Sequence, residues 1–271
     1  MTLKITILGC GNSTGVPAIG NYWGQCDPSE PKNIRTRSSI VVQSAKTNIV
    51  IDTGPDFKAQ LNRADINHLD AAFFTHAHSD HVAGIEDLRG LVFRMEQSTM
   101  PIYANHETIE ELEHKFAYLF NGGKAEIYPP ILEAHTLEPN QFGALQSFGD
   151  IQYTPFIQDH GTCESIGYRF GDLAYSVDIL TLDKTAINAL KGIKTWVVDC
   201  TGYHSDTNPV HANLKTIYAL NEEIQAQKIY LTSLSLGMDY QTMIGELPNG
   251  YAPAFDGLEL MAKVQADSTG E

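Results

Sequence analysis

Between residues 76 and 81 the chain reads His76-Ala77-His78-Ser79-Asp80-His81, three imidazoles and a carboxylate in six residues. The segment follows the apolar run Ala71-Ala72-Phe73-Phe74, which places the cluster where a buried strand ends. No other feature restricts the fold as much. An extended backbone points residues i and i+2 to one side, so His76 and His78 can grip one ion together. Asp80 and His81 then fall where a helix begins and point past that ion to a second position. Imidazole with carboxylate suits zinc or manganese, with iron a further candidate. A pair of such ions shares a bridging hydroxide, holds a phosphoryl group and supplies the nucleophile, so metal-assisted hydrolysis is the expected chemistry. The plain alternative is a solvated histidine-rich turn. Four ligand-type residues in six, directly behind a buried strand, argue against it.

More ligands have to come from elsewhere in the chain. His160, in Gln158-Asp159-His160-Gly161, follows the strand-like Ile151–Ile157. Asp178 ends the strand-like Leu173-Ala174-Tyr175-Ser176-Val177, as Asp52 ends Asn48-Ile49-Val50-Ile51. Each alone would read as a hydrogen-bonded polar group at a strand end. Beside the cluster, His160 and Asp178 become candidate ligands, with Asp178 able to bridge two ions. Asp52 has a different expected task, holding the histidine loop from behind as metal-binding imidazoles require.

The strand–Asp–helix–strand unit occurs twice, once around Asp52 and once around Asp178. That doubling predicts two related halves packed sheet to sheet. Strands are expected at Leu3–Ile7, Ser39–Gln43, Asn48–Ile51, Asp70–Thr75 and Trp196–Asp199. Apolar spacings of three and four predict helices over Ser79–Arg94, His106–Phe120, Asp183–Lys191 and His211–Ala226. The loop Gly9–Gly15 lacks the Lys-Ser/Thr ending of a nucleotide-binding loop, and reads as a close backbone approach beside the metals. The polar tail Gln265–Glu271 is expected to fray. No Ser- or Pro-rich linker divides the chain, so one α/β domain over residues 1–271 is expected, with two sheets inside and helices outside.

Composition narrows the partners. There are 18 Lys+Arg against 33 Asp+Glu, a formal charge of −15. Such a field repels a long polyanion, which argues against a nucleic-acid partner. It does not exclude a small anionic substrate, because bound cations invert the charge locally. Cys10, Cys26, Cys163 and Cys200 show no paired spacing, Met1 runs straight into a strand-like segment, and no apolar run is long enough for a bilayer. A cytoplasmic location with free thiols, and no membrane partner, is expected.

Together these pieces resemble the metallo-β-lactamase superfamily. The His-x-His-x-Asp-His motif, the later His160 and Asp178, and the doubled unit carry the likeness. A closer likeness is to the branch of phosphoribosyl 1,2-cyclic phosphate phosphodiesterases, which is related to tRNA 3′-processing endonucleases. It rests on Leu8–Pro17, Trp23–Pro28, Thr36–Ser39, Ile51–Asp56 and Ala254-Phe255-Asp256-Gly257. The resemblance implies a four-layer αββα sandwich with the site at one sheet edge. It implies that His76, His78 and His160 hold a first ion, that Asp80 and His81 hold a second, and that Asp178 bridges. It also implies a dimer as the common assembly.

The branch places a histidine close to the phosphate near His211, expected here to open a helix and to orient the substrate or protonate the leaving oxygen. Asp80 and His211 are thus the candidate catalytic residues. The function expected is a metal-dependent phosphodiesterase acting on a small or cyclic phosphodiester through a metal-bound hydroxide. A degenerate mononuclear metal binder is the alternative, followed by another hydrolase of the superfamily (thioester or lactone) or an RNA-processing nuclease.

The chain departs from the family pattern in one place that matters. The family supplies one more histidine to the second ion, after the last core strand. Here that strand is Lys228–Thr232, and the next residue is Ser233. A further histidine position, three residues on, holds Leu236. The second metal position is therefore expected to be weakened, and a structural zinc near Cys26 lacks its partners. His204 is a weaker candidate for the missing ligand. Arg35 and Arg37 read either as a phosphate grip or as a bridge from loop to sheet. Arg89 reads as a helix-surface ion pair and Cys163 as a packed thiol.

Overall fold

The computed structural model describes residues 1–95, 98–122 and 128–264. The tail for which fraying is expected lies outside the described residues. Among the described residues there are fourteen strands: β1 (Thr2–Gly9), β2 (Ser39–Gln43), β3 (Asn48–Ile51), β4 (Ala71–Phe73), β5 (Met100–Ala104), β6 (Leu132–Thr136), β7 (Gln146–Phe148), β8 (Ile151–Asp159), β9 (Glu164–Phe170), β10 (Leu173–Ser176), β11 (Thr195–Asp199), β12 (Lys228–Thr232), β13 (Tyr251–Pro253) and β14 (Glu259–Lys263). They form two seven-stranded sheets, ordered β14-β1-β2-β3-β4-β5-β6 and β13-β12-β11-β10-β9-β8-β7. In each sheet the strands from the centre to one edge run parallel, β3 to β6 in one and β10 to β13 in the other. The doubled unit seen in the sequence is real at this level, because β3–β4 and β10–β11 are corresponding parallel pairs.

The strand sequences explain the layering. In β2 and β3, Ile40, Val42, Ile49 and Ile51 face one core, which they share with Tyr168, Tyr175 and Val197 of the opposite sheet. Val41 and Val50, one residue out of phase, face a second core with Phe57, Leu61, Leu88 and Leu112. Period two with both faces buried requires near-continuous apolar runs, and SIVV and NIVI supply them. Helices α1 (Phe57–Arg63), α2 (Ser79–Val82), α3 (Leu88–Arg94), α4 (His106–Lys115) and α5 (Ala117–Asn121) belong to the first half. Helices α6 (Lys184–Leu190), α7 (Leu214–Ile224) and α8 (Tyr240–Glu246) belong to the second. The expected αββα sandwich is the observed fold.

Three helix expectations need correction. The helix expected over Ser79–Arg94 is interrupted at Gly84. Its N–H bonds the Thr53 carbonyl at 2.7 Å instead of continuing the ladder, and a 3₁₀ turn at Ile85–Asp87 follows. The helix expected over His106–Phe120 breaks at Phe116 (φ −124°, ψ 33°). The bend lets the Leu119 carbonyl accept from the Ile131 N–H at 2.8 Å, just ahead of β6. Finally, α7 starts at Leu214 behind the Asn213 cap, whose side chain accepts from Thr216 N–H. His211 therefore precedes the helix instead of opening it.

Candidate metal centre

The site forms where parallel strands end, the edge at which open α/β sheets present their loops to ligands. Asp52 follows β3, the histidine segment follows β4, Asp178 follows β10, Asp199 ends β11 and Ser233 follows β12. Asp52, Asp178 and Ser233 have φ of 64°, 51° and 55°. This left-handed conformation costs a non-glycine residue about 1 kcal/mol or more. Each is thus a sharp turn that aims one polar side chain back across the sheet ends. Behind the motif Gly54 has no Cβ because the Asp80 carbonyl occupies that space.

The structure brings all six expected ligands together. Nε2 of His76, His81 and His160 lies 3.5, 3.3 and 3.5 Å from Asp178 Oδ2. His76 Nε2 is 2.9 Å from His78 Nδ1, and His81 Nε2 is 3.5 Å from Asp80 Oδ2. Two overlapping donor sets are built on the histidine motif, His76-His78-His160-Asp178 and Asp80-His81-Asp178, and a third, Asp178-Asp199-His211, also shares Asp178; atoms in each lie within 4.8 Å of one another. His76, His81, His160 and Asp178 are buried, whereas His78 is exposed and Asp80 half-buried.

Counting protons shows what the sets can hold. Asp52 accepts from Thr75 N–H at 2.8 Å, Thr75 Oγ1–H at 2.9 Å and His81 Nδ1–H at 2.7 Å. With its only proton spent there, Thr75 Oγ1 accepts from His76 Nδ1 at 2.9 Å. His160 Nδ1–H donates to the Val210 carbonyl at 2.8 Å. His76 and His160, as neutral rings, therefore turn lone pairs on Nε2 toward a carboxylate oxygen. Electron-rich atoms at this separation call for a cation between them. Burial and the nearby imidazoles hold the His76 pKa well below the ordinary value, which keeps the ring neutral as a ligand must be. Burial also opposes charge on His81, but Asp178 and Asp52 outweigh it and raise its pKa well above the ordinary value. A cation would displace that Nε2 proton. The donor set is that of a divalent-metal centre.

The histidine segment is held from both sides. The Thr75 carbonyl accepts from Ile166 N–H at 2.9 Å, and the His78 carbonyl accepts from His81 N–H at 3.0 Å. The Ala77 carbonyl, between two candidate ligands, accepts from Lys115 Nζ at 2.8 Å. Sequence reasoning missed Lys115. Its only local signal is an i,i+4 pair with Glu111, which says nothing of the distant loop.

His211 faces the same centre. Asp199 Oδ2 accepts from its Nδ1 at 2.6 Å, and Asp199 is fully buried. Asp199 Oδ1 is held by Thr201 N–H and Oγ1–H at 2.8 and 2.7 Å. Burial disfavours the His211 cation, but Asp199, Asp178 and Asp80 overcome this and push its pKa up to about 9. A cavity of about 100 Å³ is lined by Asn12, Ser13, His78, Asp80, Asp178, Thr201 and His211. Larger hollows of about 630 and 620 Å³ lie between α1 and α3 and beside Arg169, away from the cluster. Asp199, as the anchor of His211, is a second residue that sequence reasoning missed, although its strand-end aspartate pattern was visible.

The other candidates fall outside the cluster. His204 is exposed, with Nε2 3.9 Å from Glu246 and its ring against Tyr203. Arg35 is buried and bridges Asn33 Oδ1 at 3.0 Å to the Ser235 carbonyl at 3.3 Å, so it joins loop to sheet. Its Nη1 lies 3.9 Å from Cys26 Sγ, so a cation already stands where a zinc at Cys26 would have to sit, and the surroundings do not fit one. Arg37 pairs with Asp56 at 3.1 Å. Arg89 lies over the rings of Phe93 and Tyr128, and among the described residues it makes no ion pair of the expected kind. Ser233 is buried. Its Oγ is 3.2 Å from Ser38 Oγ and 3.5 Å from Asp178 Oδ1, beside the second donor set.

Fold and site together define the metal-dependent hydrolase class built on the β-lactamase sandwich. Residues 47–232 match the family described as the Beta-lactamase superfamily domain, and the chain belongs to that superfamily. Within it the chain falls in the branch of the PhnP family. A crystal structure of a diphosphatase from that family is 31% identical, covers 96% of this chain and 97% of its own, and superposes with a TM-score of 0.84. An octanoyltransferase of Porphyromonas gingivalis (strain ATCC BAA-308 / W83) is 28% identical over 95% of this chain but only 51% of its own length. A ribonuclease Z of Bradyrhizobium sp. (strain ORS 278) is 30% identical over 52% of this chain and 46% of its own. The chain thus spans about half the length of these curated relatives. Among the described residues no helix is long and apolar enough to cross a membrane.

Proposed function

We propose that this chain is a metal-dependent phosphodiesterase acting on a small or cyclic phosphodiester. His76, His78, His160 and Asp178 hold one divalent ion in this reading, and Asp80, His81 and Asp178 hold a second. Zinc and manganese suit the donors best, with iron next. The observation that carries the reading is the convergence of imidazole nitrogens on Asp178 Oδ2, with the His160 proton already spent on the Val210 carbonyl. When bound, the ions supply an activated water and neutralise charge on the phosphoryl oxygens.

The chain's own groups do the rest. Asp80, at the cavity wall, accepts a hydrogen bond from the attacking water and orients it. Asp199 fixes the His211 ring so that Nε2 faces the cavity, where its proton passes to the leaving oxygen. A cavity of about 100 Å³ suits a phosphoryl group with a short flank, and the net charge of −15 disfavours a long polyanion. The diphosphatase name of the PhnP-family neighbour agrees with phosphoryl chemistry.

The test is hydrolysis of bis-p-nitrophenyl phosphate by protein loaded with manganese, zinc or iron. Turnover is expected with at least one of them, and none with any would end this reading. Preferential, salt-dependent cleavage of a tRNA precursor would move the assignment to the activity that the ribonuclease Z relative is named for.

The second position is the weaker one, because it has two donors of its own and shares the third. Ser233→His is expected to raise its occupancy, moving elemental analysis at low metal from near one ion per chain toward two, with higher turnover. If neither changes, Ser233 is not where the ligand is missing.

A further inference from the structure

The Gly9–Gly15 loop brings Asn12 and Ser13 to the wall of the cavity that His78, Asp80, Asp178 and His211 also line. The loop is anchored from both sheets. Gly11 N–H donates to the Thr36 carbonyl at 2.7 Å, and Asn12 N–H donates to the Leu234 carbonyl at 3.2 Å. Asp256, nearly buried, accepts from Cys10 N–H at 3.0 Å and from Thr36 N–H at 2.9 Å. The position of Asn12 is therefore fixed by its backbone.

Its side chain is oriented as well. Asn12 Oδ1 accepts from Thr14 N–H at 3.3 Å and Thr14 Oγ1–H at 2.9 Å. The Thr14 backbone N–H can only donate, so it settles which end of the amide is oxygen. Among the described residues no acceptor lies on Asn12 Nδ2. The amide thus has two unspent N–H donors, on a residue that lines a small cavity together with carboxylates and imidazoles. The same cavity holds no Lys or Arg in its wall.

We propose that Asn12 is a substrate-positioning residue, its Nδ2 donating to a non-bridging oxygen of the phosphoryl group. This rests on the phosphodiesterase reading above. It gives the loop a task beyond close approach: a neutral donor that recognises phosphate oxygen without adding fixed charge.

Asn12→Asp separates this role from a structural one. The aspartate keeps the oxygen that Thr14 needs, so the turn survives, but it removes the donor. Binding of inorganic phosphate to manganese-loaded protein is read by calorimetry, beside KM and kcat for bis-p-nitrophenyl phosphate, with metal content and melting temperature alongside. A lost hydrogen bond to a charged group predicts phosphate binding weaker by about 10- to 100-fold and a matching loss in kcat/KM, with metal content unchanged. Asn12→Ala is expected to weaken binding too. Asn12→Asp that binds phosphate and turns over diester like the wild type overturns the proposal. So does Asn12→Asp restoring what Asn12→Ala loses, since that pattern belongs to the turn. If wild-type protein turns over diester while Asn12→Asp is indifferent, only this proposal falls. If wild type neither binds phosphate nor cleaves diester, the phosphodiesterase reading falls and takes this one with it.

Discussion

Asp178→Ala is expected to empty both metal positions at once, because one carboxylate belongs to both donor sets. Loss of a partner that merely supports a ligand costs about 10- to 100-fold in metal affinity, so loss of a shared ligand should exceed about 100-fold. Protein dialysed against micromolar manganese should then carry well under one ion per chain, against one or two in wild type. Diester turnover should fall by more than about 100-fold. The fold should survive, because Asp178 sits at the sheet edge and the apolar strands beneath it are unchanged. Far-ultraviolet circular dichroism and a cooperative melt check that. Wild-type metal content in this variant would remove Asp178 from the ligand set.

The second large effect is expected at His211. His211→Gln removes the proton donor but touches none of the donors in the two sets built on the histidine motif. kcat should fall by about 100- to 1,000-fold, within the range for a positioned acid, while elemental analysis shows unchanged metal. Asp199→Asn should produce a loss of the same order, since its amide cannot hold the ring as the carboxylate does. A useful contrast is a substrate with a better leaving group. An activated aryl oxide needs little protonation, so His211→Gln should be impaired less on bis-p-nitrophenyl phosphate than on an alkyl diester. Equal losses on both would assign the residue to substrate binding. A variant with wild-type kcat on both would make the Asp199–His211 pair structural.

Much of this molecule was readable from local pattern. The β2 and β3 boundaries follow from SIVVQ and NIVI, because period-two apolar runs declare a strand wherever they are buried. Asp52 behind the histidine loop was expected, and it accepts from Thr75 and His81. What was not readable depends on partners far away in sequence. The helix break at Gly84 exists because its N–H finds the Thr53 carbonyl, and no helical periodicity records that. The place of Arg35 became clear only when Cys26, Asn33 and Ser235 were seen around it. Arg89, which follows Glu86 and Asp87 and reads as a helix-surface ion pair, lies over aromatic rings, including one 39 residues on.

The sequence by itself determined the donor chemistry and the superfamily. Spacing within His76–His81 is a local property, set by how an extended segment passes into a helix, and six residues suffice to state it. Tertiary structure decided how those donors meet. Pairing such as β1 with β14, which joins Thr2 to Lys263, is fixed by sheet register and not by neighbouring residues. The same registers bring Asp178 Oδ2 within 3.5 Å of three imidazoles, stand Ser233 beside it, and bring Asn12 to the wall of the same cavity. A contact between distant strand ends leaves no period in the chain, so only the folded sheets could reveal it.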